Sequence, residues 1–325
     1  MRIEEISTGS TARSSEELRE AALAQFYTAY PLAVHAQFYS HTGNADAPRK
    51  NGDQFNAGGT RTTGSDYAPK EREPQFGSVQ LKIYGDKVQT DIAHERRGTD
   101  IGSQRLNDLE AFSESLGWYF ADATINHDVS QSAQRFKGLK AQADTLGRNF
   151  VMNDGSGNGY ALPADVTGAN ATKVARFFEK LDEYMGGIPG GPTVLGVNAA
   201  FAARLGSIGK SYLSVQNVQT PWGEEQKVTT YNGVPLVNMG YTSNGTGLVL
   251  PQTETVGTSN DCCSIYGIRF GEQRDVTFAT NVGLDVQDLS LVGTKYLTLV
   301  EFDVDLAVLN PKAFFRMSGV RLNAN

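Results

Sequence analysis

The sequence predicts an α+β fold, on three observations. Apolar residues recur every three or four positions over 103–126 and again over 172–185, the mark of helices with one buried face. The C-terminal part, from about residue 193, instead alternates short apolar–polar patterns with Gly and Pro turns and ends in the most regular of them, residues 296–308. Between a first short helix and the first strands, residues 42–68 hold five glycines and mixed charges with no period of either kind.

Taken in order, Ser14-Ser15-Glu16-Glu17 reads as a helix start, and Leu18, Ala22, Phe26 and Ala29 continue at helical spacing until Pro31 ends the helix near Tyr30. The residues before it form a short polar arm with no apolar face of its own. The run 42–68 is expected to be structureless, and a loop of that length speaks against a simple single core. Beyond Pro74, Val79, Leu81 and Ile83 alternate with polar residues, Gly85-Asp86 interrupts, and Val88, Thr90 and Ile92 alternate again, which predicts two half-exposed strands. Ser103 is the expected cap of a helix of ~24 residues and ~36 Å that carries Leu106, Leu109, Phe112, Leu116 and Ala123. Residues 153–159 make a flexible turn, and the second helix stops at Gly186-Gly187. Strands are expected at Thr193 to Val197, Val234 to Met239, Ser264 to Phe270 and Val276 to Thr280, with Asn198 capping a short helix among them. Tyr296 to Val308 forms a long strand, and Ala313 to Val320 follows the Asn310-Pro311 break. Leu109, Phe112 and Leu116 are expected to face the sheet formed in part by Leu299 to Val308. No internal repeat, coiled-coil heptad or low-complexity tract is visible.

Composition narrows the class of function. With 39% hydrophobic, 20% charged and 10% aromatic residues over 325 positions, wholesale disorder, collagen-like repeats and a disulfide scaffold are excluded. The net charge of -7, from 29 basic and 36 acidic residues, leaves no excess of Lys and Arg for a sequence-reading DNA binder. Cys262 and Cys263 are adjacent, where a bridge would be strained and close almost no loop, so reduced thiols and intracellular assembly are expected. Glu4 and Glu5 stand where a secretory signal needs positive charge, and no run approaches the ~18 apolar residues of a membrane span, so a soluble chain is expected.

The motifs of catalysis are missing. Gly209-Lys210-Ser211 has the end of a phosphate-binding loop, but Arg204 occupies its first glycine position and a helix precedes it while a strand follows, the reverse of the required order. Gly155-Ser156-Gly157-Asn158-Gly159 lacks the dinucleotide fingerprint because Tyr160 takes the third glycine position. His35, His41, His94 and His127 form no i, i+4 pair and have no carboxylate or thiol at metal-site spacing. No serine stands in a Gly-x-Ser-x-Gly elbow, and Asp261 beside Cys262 and Cys263 would raise a thiol pKa, which suits packing better than nucleophilic attack. No catalytic, cofactor-binding or metal-ligating residue is assigned. An enzyme with an unrecognised site is the reading left with least support.

Four stretches, taken together and in order, resemble the tailed-bacteriophage major capsid proteins of the HK97-like fold. Ala123-Thr124-Ile125-Asn126-His127-Asp128 followed by Phe136-Lys137-Gly138-Leu139 is similar to the family's spine-helix end, with His127 where glycine is usual. Helix 172–185, the strand Val194 to Val197 and Asn198-Ala199-Ala200-Phe201 are similar to its axial-domain elements, with Ala199 where proline is common. Tyr231-Asn232-Gly233-Val234-Pro235-Leu236-Val237 is similar to its Gly-x-Pro-Val strand, and Leu297 to Leu309 with Asn310-Pro311-Lys312-Ala313-Phe314 to its long returning strand.

The resemblance implies an HK97-like capsid fold. Its parts would be an N-terminal arm and short helix (1–33), an E-loop hairpin (34–92) and a peripheral domain with a long spine helix (93–160). An axial domain (161–294) and return strands of the peripheral domain (295–325) would follow. The E-loop would reach over a neighbouring subunit, so that 34–92 needs no core of its own. It further implies pentamers and hexamers of the chain in an icosahedral shell around double-stranded DNA, with loose, non-specific contact to the packaged DNA and no cofactor. A portal, a separate scaffolding protein and room for decoration proteins go with it, as does a place in the virion after assembly in the host cytoplasm. No membrane is involved. Nothing in the sequence marks Lys82 or Lys87 for a covalent crosslink. The same fold also builds encapsulins, compartments that enclose enzymes, and that alternative stays open.

Overall fold

Pro31 cannot continue a helix, so α1 (Arg13–Ala29) gives way to a 3-10 turn at Pro31–Val34. In the computed structural model, which describes residues 13–41, 46–49, 60–67, 69, 75–98, 100–209, 213–219, 225–243 and 245–322, α1 and the residue after it bury Ala22, Phe26 and Tyr30 completely. That is one face of the helix, four residues apart each time. The polar arm before residue 13 lies outside the described residues.

Four strands follow: β1 (Phe38–Ser40), β2 (Asp46–Arg49), β3 (Gln75–Ser78) and β4 (Lys82–Asp91). β2 and β3 pair with each other alone, as an antiparallel ribbon with Asp46 opposite Ser78 and Arg49 opposite Gln75. The run 42–68 is therefore not wholly structureless, and its strand escapes a search for periodicity because Asp46-Ala47-Pro48-Arg49 has no apolar face to alternate. Gly85-Asp86 does not interrupt β4 either. The strand pairs with a later one from Lys82 through Asp91, and Gly85 sits where any Cβ would collide with the Val300 carbonyl, so the glycine serves a close backbone approach. Val79 is buried but lies ahead of the strand.

After a single turn, α2 (Ala93–Arg96), comes the long helix α3 (Ile101–Asn126). Its cap is Asp100, three residues before the expected Ser103. The Asp100 carboxylate accepts the Gly102 and Ser103 N–H groups at 3.3 Å and the Ser103 hydroxyl at 2.6 Å. The chain continues through α4 (Leu139–Thr145), β5 (Asn149–Val151), β6 (Tyr160–Ala161), α5 (Ala169–Gly186), β7 (Val194–Val197) and α6 (Ala199–Ile208). Then come β8 (Leu213–Gln219), β9 (Glu225–Tyr231), β10 (Val234–Asn238), β11 (Glu254–Val256) and β12 (Ser259–Ile268). Last are β13 (Val276–Val292), β14 (Lys295–Val308) and β15 (Phe314–Arg321).

The larger sheet runs β5-β15-β12-β7-β10-β9-β8, with β11 on β12 and β6 on β15, and a four-stranded sheet runs β1-β13-β14-β4. Two strands sit in the sheet opposite to the expected one. β13, expected to belong with 161–294, pairs with β14 over most of its length and with β1, because its hydrogen bonds continue past a bulge between Thr280 and Leu284 that hides the strand's true length in the sequence. β15, expected as a return strand beside β14, pairs with β12 and β5. Its residues Phe314 to Val320 are all buried, which requires a central strand covered on both faces, and the Asn310-Pro311 corner redirects the chain to it. Segment 34–92 likewise places β1 and β4 at the two edges of the four-stranded sheet, so both its ends belong to a core.

That core centres on Phe120 of α3, whose ring lies 5.1 Å from Phe302, 5.5 Å from Phe278 and 5.8 Å from Phe26. Leu109 and Leu116 join it as expected, whereas Phe112 is only half-buried at its margin. A second core lies between the larger sheet and helices α5 and α6, built on Phe177, Leu181, Phe201, Leu205, Phe315 and Met317. The chain after β10 ties the two together across α3: the Ser115 hydroxyl donates to the Ser243 carbonyl at 3.0 Å, Asn126 donates to the Val249 carbonyl at 2.9 Å, and Trp118 meets Tyr241 edge to face.

Candidate assembly surfaces

The residues with the chemistry of sites are scattered. His35 ends the 3-10 turn, His41 follows β1, His94 is on α2 and His127 ends α3. Among the described residues no three His, Cys, Asp or Glu side chains gather closely enough to hold a metal ion. Gly209 ends α6 and β8 follows, the helix-then-strand order read from the sequence, while Lys210 and Ser211 lie outside the described residues. Arg204 spans instead to the carbonyls of Leu162 and Leu322, at 2.7 and 2.6 Å. In the 153–159 turn the Asp154 carboxylate accepts the Ser156 and Asn158 N–H groups, so the turn is closed by its own side chain. Both cysteines are buried and free; burial pushes the Cys263 thiol up to about 12, and the Cys262 thiol is raised by burial and by Asp261. No helix among the described residues is long and apolar enough to cross a membrane.

What the described surface does offer is a set of elements with edges or apolar side chains left uncovered by the chain itself. Among the described residues the β2–β3 ribbon has no further strand partner. The β8–β9 hairpin ends the larger sheet, with Val215 65% exposed on its outermost strand. The far end of β13–β14 carries Leu289, Leu291 and Val292 into solvent around the Gly293 turn. That end is braced from α3. The Arg105 guanidinium lies 2.8 Å from the Asp288 carboxylate and 3.2 Å from the Thr298 hydroxyl, and stacks 5.0 Å over the Tyr296 ring. Burial alone would raise the Asp288 carboxyl; Arg105 and the Ser290 N–H bring it below its ordinary value. Sequence reading missed this cluster because a second bulge, between Asp288 and Leu291, breaks the strand's period there.

A long helix laid across a four-stranded sheet, a two-stranded ribbon thrown out between that sheet's two edge strands, and a second layered sheet inserted in the chain make the HK97-like capsid fold, and this chain has it. The likeness to solved structures is nearly full-length. The SrpI encapsulin of Synechococcus elongatus PCC 7942, solved as a holo complex, matches with a TM-score of 0.60 at 13% identity over 100% of this chain and 97% of its own. The virus-like particle of Pyrococcus furiosus matches with a TM-score of 0.52 at 12% identity, over 94% of this chain and all of its own. The procapsid of satellite phage P4, solved with its size determination protein, matches with a TM-score of 0.51 at 9% identity, over 94% of this chain and all of its own. No protein-family model and no curated protein sequence matches the chain.

Proposed function

We propose that the chain is the major capsid protein of a tailed phage, a structural subunit that assembles with its own copies into an icosahedral shell around double-stranded DNA. The observation that supports this is the correspondence of 94% or more of the chain with an encapsulin, a virus-like particle and a phage procapsid. On this reading the β2–β3 ribbon is the E-loop and lies on a neighbouring subunit, the body around the four-stranded sheet is the peripheral domain with α3 as its spine, and the larger sheet with α5 and α6 is the axial domain. The exposed Leu289, Leu291 and Val292 are then covered by adjoining subunits, as an apolar cluster at the tip of a strand pair calls for. The net charge of -7 suits a wall that encloses DNA without gripping it. A separate scaffolding protein, a portal and decoration proteins belong to the same proposal, as does assembly in the host cytoplasm.

A second reading, an encapsulin-type compartment, is favoured by the higher TM-score of 0.60 to an encapsulin. One experiment separates them. The protein is expressed with its neighbouring genes, and particles are purified, imaged by electron microscopy and treated with nuclease. Closed shells holding protected double-stranded DNA support the phage reading; shells with a co-purifying enzyme and no protected DNA support the compartment. Monomers at high concentration with the scaffold present would overturn both.

A further inference from the structure

We propose that His127 is a proton-operated latch, which fastens the end of α3 to β4 while its ring is neutral and releases the 127–138 loop when the ring is charged. The proposal stands on the subunit alone and does not depend on what the subunit encloses.

His127 is the residue that ends α3, and it is 2% exposed. Its own N–H bonds back to the Ala123 carbonyl, and its carbonyl accepts the Gly138 N–H at 2.8 Å, which closes the loop at its neck. The ring Nδ1 lies 3.3 Å from the Tyr84 hydroxyl of β4, and that same hydroxyl oxygen accepts the Phe136 N–H at 3.2 Å. In the proposed latch Tyr84 donates to Nδ1 while its oxygen accepts the Phe136 amide, and the imidazole carries its proton on Nε2. One neutral ring thus completes a chain from α3 through β4 to the loop. Around it stand Tyr84, Tyr119 and Phe136, with ring centroids 5.1 to 6.3 Å away.

A proton on Nδ1 turns the acceptor into a donor and leaves the Tyr84 hydroxyl hydrogen with no partner. The charges facing the ring come from every element packed on it. Asp122 of α3 favours the cation, while burial and Arg135 of the loop oppose it. Asp128, next in the chain, is engaged by the Ser130 N–H and faces Lys137, and Asp305 of β14 acts on Tyr84. The balance is against the charged form: the imidazole is held at about 4, with burial the largest cause. An opened loop returns the ring to water and to an ordinary value near 6.5. Protonation therefore favours the open loop about 100-fold between pH 7 and pH 4. β4 is the strand that leads back from the β2–β3 ribbon, so the latch couples the base of that ribbon to α3.

The test uses the full chain. Hydrogen exchange of the 128–138 peptide, corrected for the intrinsic pH dependence of exchange, is followed from pH 7 to pH 4 in the wild type and in His127→Phe, whose ring fills the cage without titrating. The wild-type opening constant should rise roughly 100-fold and the variant's should stay flat. Equal profiles would overturn the proposal. Should the variant not fold, nitrogen-15 imidazole spectra of the wild type decide: a ring protonated on Nε2 at pH 6 that titrates near 4 together with the Phe136 amide supports the latch, and an ordinary titration with no change at Phe136 rejects it.

Discussion

Gly117 of α3 lies directly beneath Ala29 of α1: a Cβ at position 117 would stand 2.7 Å from the Ala29 Cβ and 2.9 Å from the Phe26 carbonyl oxygen. The two helices cross at a distance that only glycine permits. Gly117→Val should force them apart and cost about 1–3 kcal/mol, despite valine's better helix propensity. Urea denaturation of the unassembled subunit measures it, and a stability at or above wild type would show that the crossing gives way.

Phe120 rather than Phe112 is the side chain on which the first core turns. Phe120→Ala should destabilise by about 3–5 kcal/mol, whereas the half-buried Phe112 should lose much less when truncated. The same denaturation curves compare the two, and equal losses would contradict the packing seen around Phe302 and Phe278.

Arg316 is 6% exposed, donates to the Glu254 carboxylate at 2.8 Å and shares the Ser264 hydroxyl with it. Glu254 is half-buried and keeps Lys140 at 3.7 Å when Arg316 is lost, so Arg316→Met should cost about 1–3 kcal/mol, and adding Glu254→Leu should recover part of that. A double-mutant cycle reads the coupling, and additive losses would mean that the pair acts separately.

Both thiols should resist labelling in the folded subunit. Burial holds Cys263 at about 12, so at pH 8 almost none of it is thiolate. A chromogenic disulfide reagent should react only as fast as the chain unfolds, with both cysteines released together; rapid reaction in buffer would place them at the surface.

Replacing residues 46–78 by a short Gly-Ser linker removes a ribbon that pairs only with itself. The subunit should keep its circular dichroism and melt within a few degrees of wild type, because closing a shorter loop costs little. Particles should be lost or arrested at capsomers. Unfolded protein would place the ribbon in a core, and wild-type shells would show that it makes no contact between subunits.

Much of this was legible in advance. The helices at 101–126 and 169–186 declare themselves because one face repeats over many turns. What stayed hidden is hidden for physical reasons. A Ser103 cap would accept the Arg105 or Leu106 N–H, but its hydroxyl instead donates to Asp100, whose carboxylate caps the helix one turn earlier, and only geometry shows this. The partners of β13 and β15 are chosen by chain direction at bulges and at Asn310-Pro311, which local pattern does not encode. Of the assembly surfaces, the excursion at 42–68 announced itself through its glycines, while Arg105 and the apolar tip it braces depend on contacts between residues nearly two hundred positions apart.

The pairing of the strands also sets a clock. β1 lies against β13, with Phe38 beside Phe278, and β5 cannot join the larger sheet until β15, ending at Arg321, has arrived. Neither sheet can therefore close while the chain is still being translated through its last strands, and the contacts that close them are among the slowest a chain can make. A chain paused upstream of residue 276 has both sheets incomplete, because β13, β14 and β15 have yet to be made.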